Sequence, residues 1–156
     1  MKIKIFLSIL PLIFACSIFC DAQKISERTL IKPDLSKSTS QIIKSTPAFA
    51  ELLLRRTGRE AELEEFLLDY TDEFPKVKEL RFELELLQKQ MDKVSAVAAS
   101  DAPKLSLALG KLLVRKTELE VDFWNLLKQY NADHPEVKRA KRKIEVYEKA
   151  VKEILP

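Results

Sequence analysis

The segment Tyr130-Asn-Ala-Asp-His-Pro135-Glu-Val137-Lys138 has an earlier copy sixty residues upstream, Tyr70-Thr-Asp-Glu-Phe-Pro75-Lys-Val77-Lys78. The match runs well past the motif. Leu52-Leu53 aligns with Leu112-Leu113, Arg55 with Arg115, Thr57 with Thr117, Glu60 with Glu120 and Leu67 with Leu127. Between 52–91 and 112–151, about 12 of 40 aligned positions are identical. A repeat of this length is one supersecondary unit used twice.

Each unit reads as two helices joined by a short turn. After the turn the apolar positions step by three and four. They are Val77, Leu80, Leu84, Leu87, Met91 and Val94 in the first copy, and Val137, Ala140, Ile144, Tyr147, Val151 and Ile154 in the second. Such a pattern lays one narrow apolar seam along a helix and leaves charge on its other faces. Before the turn the spacing recurs in Phe49, Leu52, Leu63, Phe66 and Tyr70, and in Leu109, Leu112, Leu119, Phe123, Leu126 and Tyr130. Proline lacks an N–H and has a fixed φ, so Pro75 and Pro135 belong in the first turn of a new helix and end the one before. Asp72 or Glu73, and Asp133, are expected to cap it. Tyr and Val should then meet across the hairpin, with the two helices antiparallel.

Tyr, four residues, then Pro-x-Val leading into a heptad helix resembles the coiled-coil hairpin of bacterial polysaccharide chain-length-determinant and exopolysaccharide export proteins. The residues that carry the likeness are Tyr70, Pro75 and Val77, and more closely Tyr130, His134, Pro135 and Val137. It covers the hairpin alone, and what it implies is the hairpin's geometry.

Along the chain, residues 1–22 read as a signal peptide: Lys2 and Lys4, an apolar run from Ile5 to Phe19, and small Ala22 before Gln23. Lipidation at Cys16, after Ala15, or an uncleaved anchor is the alternative. Both cysteines lie in this segment, so a chain beginning at Gln23 would hold itself by helix packing, with no disulfide or thiolate site. Residues 23–46 hold no period and read as a flexible leader. The helical domain is 47–156, with repeat 1 at about 47–100 and repeat 2 at about 101–156. Thr46-Pro47 starts the first helix, 47–70, and the second takes 75–99. Ser100-Asp101-Ala102-Pro103 repeats the start signal for a third, 102–130, and the fourth takes 134–155. The first and third helices carry a second apolar stripe, Leu54, Ala61 and Leu68 in one and Val114 and Val121 in the other, and so should lie centrally. The fold is all-α: an antiparallel up-down four-helix bundle, or paired coiled-coil hairpins from a tandem repeat of about 60 residues. A dimer sharing the second stripes is a further arrangement.

Little in this chain suggests catalysis. His134 is the one histidine, and its counterpart is Phe74, so that position favours a flat ring more than an imidazole. The two glycines, Gly58 and Gly110, fall inside helices and offer no phosphate-cradling loop. Glu60, Glu62, Glu64, Glu65 and Asp69 line a helix surface with no pocket to raise a pKa. Arg56 and Lys116 share one seam position and either snorkel to the edge or fix register. No catalytic residue, cofactor or metal is implied. The most suggestive feature is a candidate interaction face, Lys138, Arg139, Lys141, Arg142 and Lys143, with no acid among them. The chain's net charge is only +3, so this charge is segregated, and 47–73 carries eight acids against three bases. The cations either face those acids, within one chain or across a dimer, or meet solvent, or meet an anionic envelope component. Nucleic acid is disfavoured by the export signal and the lack of interleaved aromatics.

The expectation is an exported, non-catalytic coiled-coil protein, periplasmic or extracellular. It would act as a structural or adaptor binding element of the cell envelope, with a protein partner or self-association through its helices and no transmembrane segment in the mature chain. The alternative is a periplasmic holdase-type chaperone.

Overall fold

Side-chain caps at Thr46, Ser106 and His134 open three of the helices, and Pro75 opens another without one. The structure, a computed structural model, describes residues 35–155, with side chains from Thr39 onward. The signal segment, with Cys16 and Cys20, and the leader up to residue 34 lie outside the described residues. The elements are α1 (Leu35–Lys44), α2 (Pro47–Asp69), α3 (Pro75–Ser95), a 3-10 turn (Ala99–Lys104), α4 (Leu107–Gln129) and α5 (Pro135–Ile154). All regular structure among the described residues is helical.

Thr46 Oγ1 accepts from Phe49 N at the start of α2 and donates to Ile43 O at 2.7 Å, which pins α1 to α2. Residues 35–44 belong to the stretch read as a flexible leader; they form α1, and Ile43 is buried in the core. Both hairpins turn alike. Tyr70 and Tyr130 leave the helix in extended conformation, at φ −127°, ψ 155° and φ −130°, ψ 154°. With proline at the first helical position, the cap falls on the residue just before it, Phe74 or His134. The expected acidic caps are therefore not made: Asp72 pairs with Arg81, Glu73 with Lys78 and Asp133 with Lys138. His134 Nδ1 accepts from Glu136 N instead. The tyrosines are not seam residues either. Both are exposed, and their rings stack on Phe74 and His134 at 4.1 Å between centroids.

The third helix begins later than its apparent start signal. Ser100 to Pro103 lie in the 3-10 turn, and α4 opens at Leu107 with Ser106 Oγ accepting from Leu109 N. Packing explains the delay. Leu105 is fully buried, and its carbonyl accepts from Ala48 N at 3.2 Å, which ties the connection to the start of α2.

α2 packs on α3 and α4, α3 also reaches α4, and α5 lies mainly on α4. The expected central pair, α2 with α4, is in contact. It runs parallel, since Ala48 meets Gly110 and Arg55 meets Glu118. A Cβ on Gly110 would come within 2.9 Å of Ala48 Cα and Glu51 Cβ, so only glycine allows this close crossing. The main apolar cluster joins Ile43, Phe49, Leu52, Leu87, Val94, Leu105 and Leu109 at this end. Burying each such side chain contributes roughly 1.5–3 kcal/mol. The result is a helical bundle.

Candidate functional site

Amphipathicity sets the orientation of α5. Val137 is buried, and Ala140, Ile144, Tyr147 and Val151 are half-buried along one side. The other side therefore carries Lys138, Arg139, Lys141, Arg142 and Lys143, all exposed. Lys138 pairs with Asp133 at 3.1 Å and Arg139 with Glu136 at 2.6 Å, both local partners. Lys141, Arg142 and Lys143 make no ion pair among the described residues. Pairing with the acids of α2 inside one chain is thereby overturned, because α5 sits on α4 and has no substantial contact with α2. The α2 acids find other partners or none. Glu60 pairs with Arg56 and Glu62 with Arg59 and Lys76, while Glu64, Glu65 and Asp69 stay exposed and unpaired among the described residues.

α2 also leaves apolar surface open. Leu54 and Leu68, two heptads apart with Ala61 between, are 71% and 85% exposed. Their equivalents on α4 differ: Val114 is half-buried and Val121 buried, because α2 and α3 cover that side. Val146 on α5 is 66% exposed.

An ionic network absent from the sequence-based expectations joins α2, α3 and α4. Glu83 is only 5% exposed, and its Oε1 accepts from Arg55 Nε at 3.1 Å and Arg59 Nε at 3.0 Å. Arg55 Nη2 also reaches Glu118 at 3.0 Å. Lys76 bridges Glu62 and Glu79, and Glu79 accepts from Asn125 Nδ2 at 2.6 Å. Beside it, Phe82 stacks on Trp124 at 4.7 Å, and Lys128 Nζ lies 3.1 Å from the centre of the indole. Burial pushes the Glu79 carboxyl up, but hydrogen bonds from Lys76 and Asn125 outweigh it and hold the group below the usual carboxylate range. A general acid needs the opposite shift. Burial likewise opposes the charge on Arg59, and Glu83 with Glu62 outweighs it. Two guanidiniums on one carboxylate oxygen make a brace for three helices. The signal was readable: position 83 borders the seam, facing two arginines one helical turn apart.

Lys116, one of the paired seam cations, is only 8% exposed and holds Glu120 Oε1 at 2.6 Å rather than reaching solvent. Its counterpart Arg56 is half-buried and pairs with Glu60 at 2.7 Å. Lys116 and Gln90 border a cavity of about 270 Å³ between α3, α4 and α5, walled by Val94, Leu113 and Val151. A more open groove of about 500 Å³ separates α2 from α4 at Leu54, Gly58 and Val114. Among the described residues no cluster of His, Cys, Asp and Glu could hold a metal ion, and no helix is long and apolar enough to cross a membrane. Comparison with protein families, curated proteins and solved structures finds no match to any of them.

Proposed function

We propose that this chain is an exported, non-catalytic structural or adaptor element of the cell envelope, acting by binding through its helix faces. One observation carries the reading. Two exposed faces lack partners among the described residues: α2, with Leu54, Leu68, Glu64 and Glu65, and α5, with Val146, Lys141, Arg142 and Lys143. Single exposed leucines are ordinary; apolar residues repeating along one helix beside unpaired charge mark an interaction surface. The chemistry at the buried Glu83 supports binding over catalysis, since two arginines hold its Oε1.

The test is photocrosslinking in cells from positions 68 and 146, with fractionation. A discrete crosslinked species in the envelope fraction, from these positions and not from control position 88 on α3, is expected. The exposed Leu54 and Leu68 also suit a holdase, which would suppress aggregation of unfolded outer-membrane proteins. Strong suppression with no discrete crosslink would favour that second reading.

A further inference from the structure

Inside the chain the first hairpin rests on α4 through a few defined contacts. Arg55 meets Glu118, Glu79 meets Asn125, and Phe82 stacks on Trp124. Each of these residues has a counterpart sixty positions away. The α4 residues Asn125 and Trp124 correspond to Glu65 and Glu64 on α2. The α3 residues Glu79 and Phe82 correspond to Arg139 and Arg142 on α5. Neither counterpart pair forms within the chain, because both faces point away from the contact between hairpins.

The chemistry of the counterparts nevertheless matches. Shifted by sixty, the Glu79–Asn125 contact becomes Arg139 opposite Glu65. The Phe82–Trp124 stack becomes Arg142 opposite Glu64. Each neutral or mixed contact inside the chain maps onto two opposite charges outside it. The apolar positions follow the same logic. Leu54 and Ala61 stand where α4 has Val114 and Val121, and Val146 stands where α3 has the half-buried Leu86. At Glu118 the correspondence ends in Gly58, where a Cβ would meet nothing within 4 Å and the groove beside Leu54 leaves room for an incoming side chain.

We infer that a second copy of this chain docks its α4–α5 hairpin on α2 of the first, in the register that α2–α3 takes on α4 but with the helices set further apart where Ala50 stands in place of Gly110, pairing Arg139 with Glu65 and Arg142 with Glu64. The face on α5 and the face on α2 differ, so the contact is heterologous: copies add head to tail in an open row, or close into a ring if the rotation permits. Arg139 gives up only an exposed pair with Glu136 one turn away, which is worth little. This inference rests on the binding role proposed above and names the partner.

Charge reversal in two halves tests it. The full chain, purified from cells, is followed by sedimentation over a concentration series, alongside E64R/E65R and R139E/R142E. All four positions are exposed, so helix content should hold in every variant. Wild type should gain mass with concentration and lose it with salt, as screened charge pairs do. Each variant alone should associate at least about tenfold more weakly, because like charges then face each other. Mixing the two should restore association, since every contact between unlike variants brings opposite charges together. A monomeric wild type, variants that associate as wild type does, or a mixture that fails to recover would each overturn the inference. A chain that stays monomeric but still gives a discrete envelope crosslink would leave the adaptor role standing and remove self-docking alone.

Discussion

At the residue scale, two glycines make opposite demands on the same substitution. Gly110 faces the backbone of Ala48, and an added Cβ must push two helices apart. Gly58 faces open space, so an added Cβ there only improves helix propensity. Gly110→Ala should lower stability by about 1–3 kcal/mol through overpacking. Gly58→Ala should raise it by up to about 1 kcal/mol. Urea melts of the two variants check both signs; equal shifts would mean α2 and α4 do not cross at Gly110. Glu83 is the other decisive residue. Glu83→Ala leaves Arg55 and Arg59 half-buried without their shared carboxylate, and should cost about 2–4 kcal/mol by the same melts. Glu79 adds a pH dependence. Its folded pKa lies below its unfolded value, so its stabilisation is complete above the unfolded value and is lost as pH falls through the folded one. Wild type should therefore lose more stability than Glu79→Gln between neutral pH and strong acid. Parallel acid limbs for the two proteins would refute the carboxylate's role.

At the scale of elements, the seams and the proline turns were readable, and the connections were not. Val77, Leu80, Leu84, Leu87, Met91 and Val94 step by three and four, and all but the half-buried Leu84 are buried, because a helix with one apolar stripe has one way to hide it. α1 and the 3-10 turn were missed because Ile43, beside Ile42, and Leu105 stand in stretches with no sustained helical period. Their burial is decided by the gap at the end of the bundle. The start of α4 was legible all the same: Thr46 and Ser106 stand sixty residues apart, and both cap a helix. The Ser100–Pro103 signal competed with them and lost to the burial of Leu105. Ser106→Ala should thus cost about 1 kcal/mol of stability, while Ser100→Ala should cost almost nothing. Thermal unfolding separates them, and a larger loss at Ser100 would return the helix start to that serine. The basic face was also legible as a face. What it opposes was not, since the path of α5 along α4, away from α2, follows from the order in which four helices stack.

At the scale of the whole molecule, two hairpins of similar pattern are held unequally. α3 lies against both α2 and α4 and buries seven residues, Val77, Leu80, Glu83, Leu87, Gln90, Met91 and Val94. α5 lies mainly on α4, and Val137 is its one buried residue. Regions with fewer buried contacts open at lower free energy than the molecule as a whole. Amides of α5 from Ala140 to Val151 should therefore exchange with solvent through a partial opening, while those of α3 exchange only on global unfolding. In dilute protein, hydrogen exchange with rising denaturant should give a shallow dependence for α5 and a steep one for α3. If a second copy covers Arg142 and Val146, raising the protein concentration should slow exchange in α5 and along α2 while leaving α3 unchanged. Equal protection of α3 and α5 in dilute protein would show that the second hairpin is as firmly held as the first. Its exposed cations would then lie on a rigid surface, and no ordering of α5 would accompany binding.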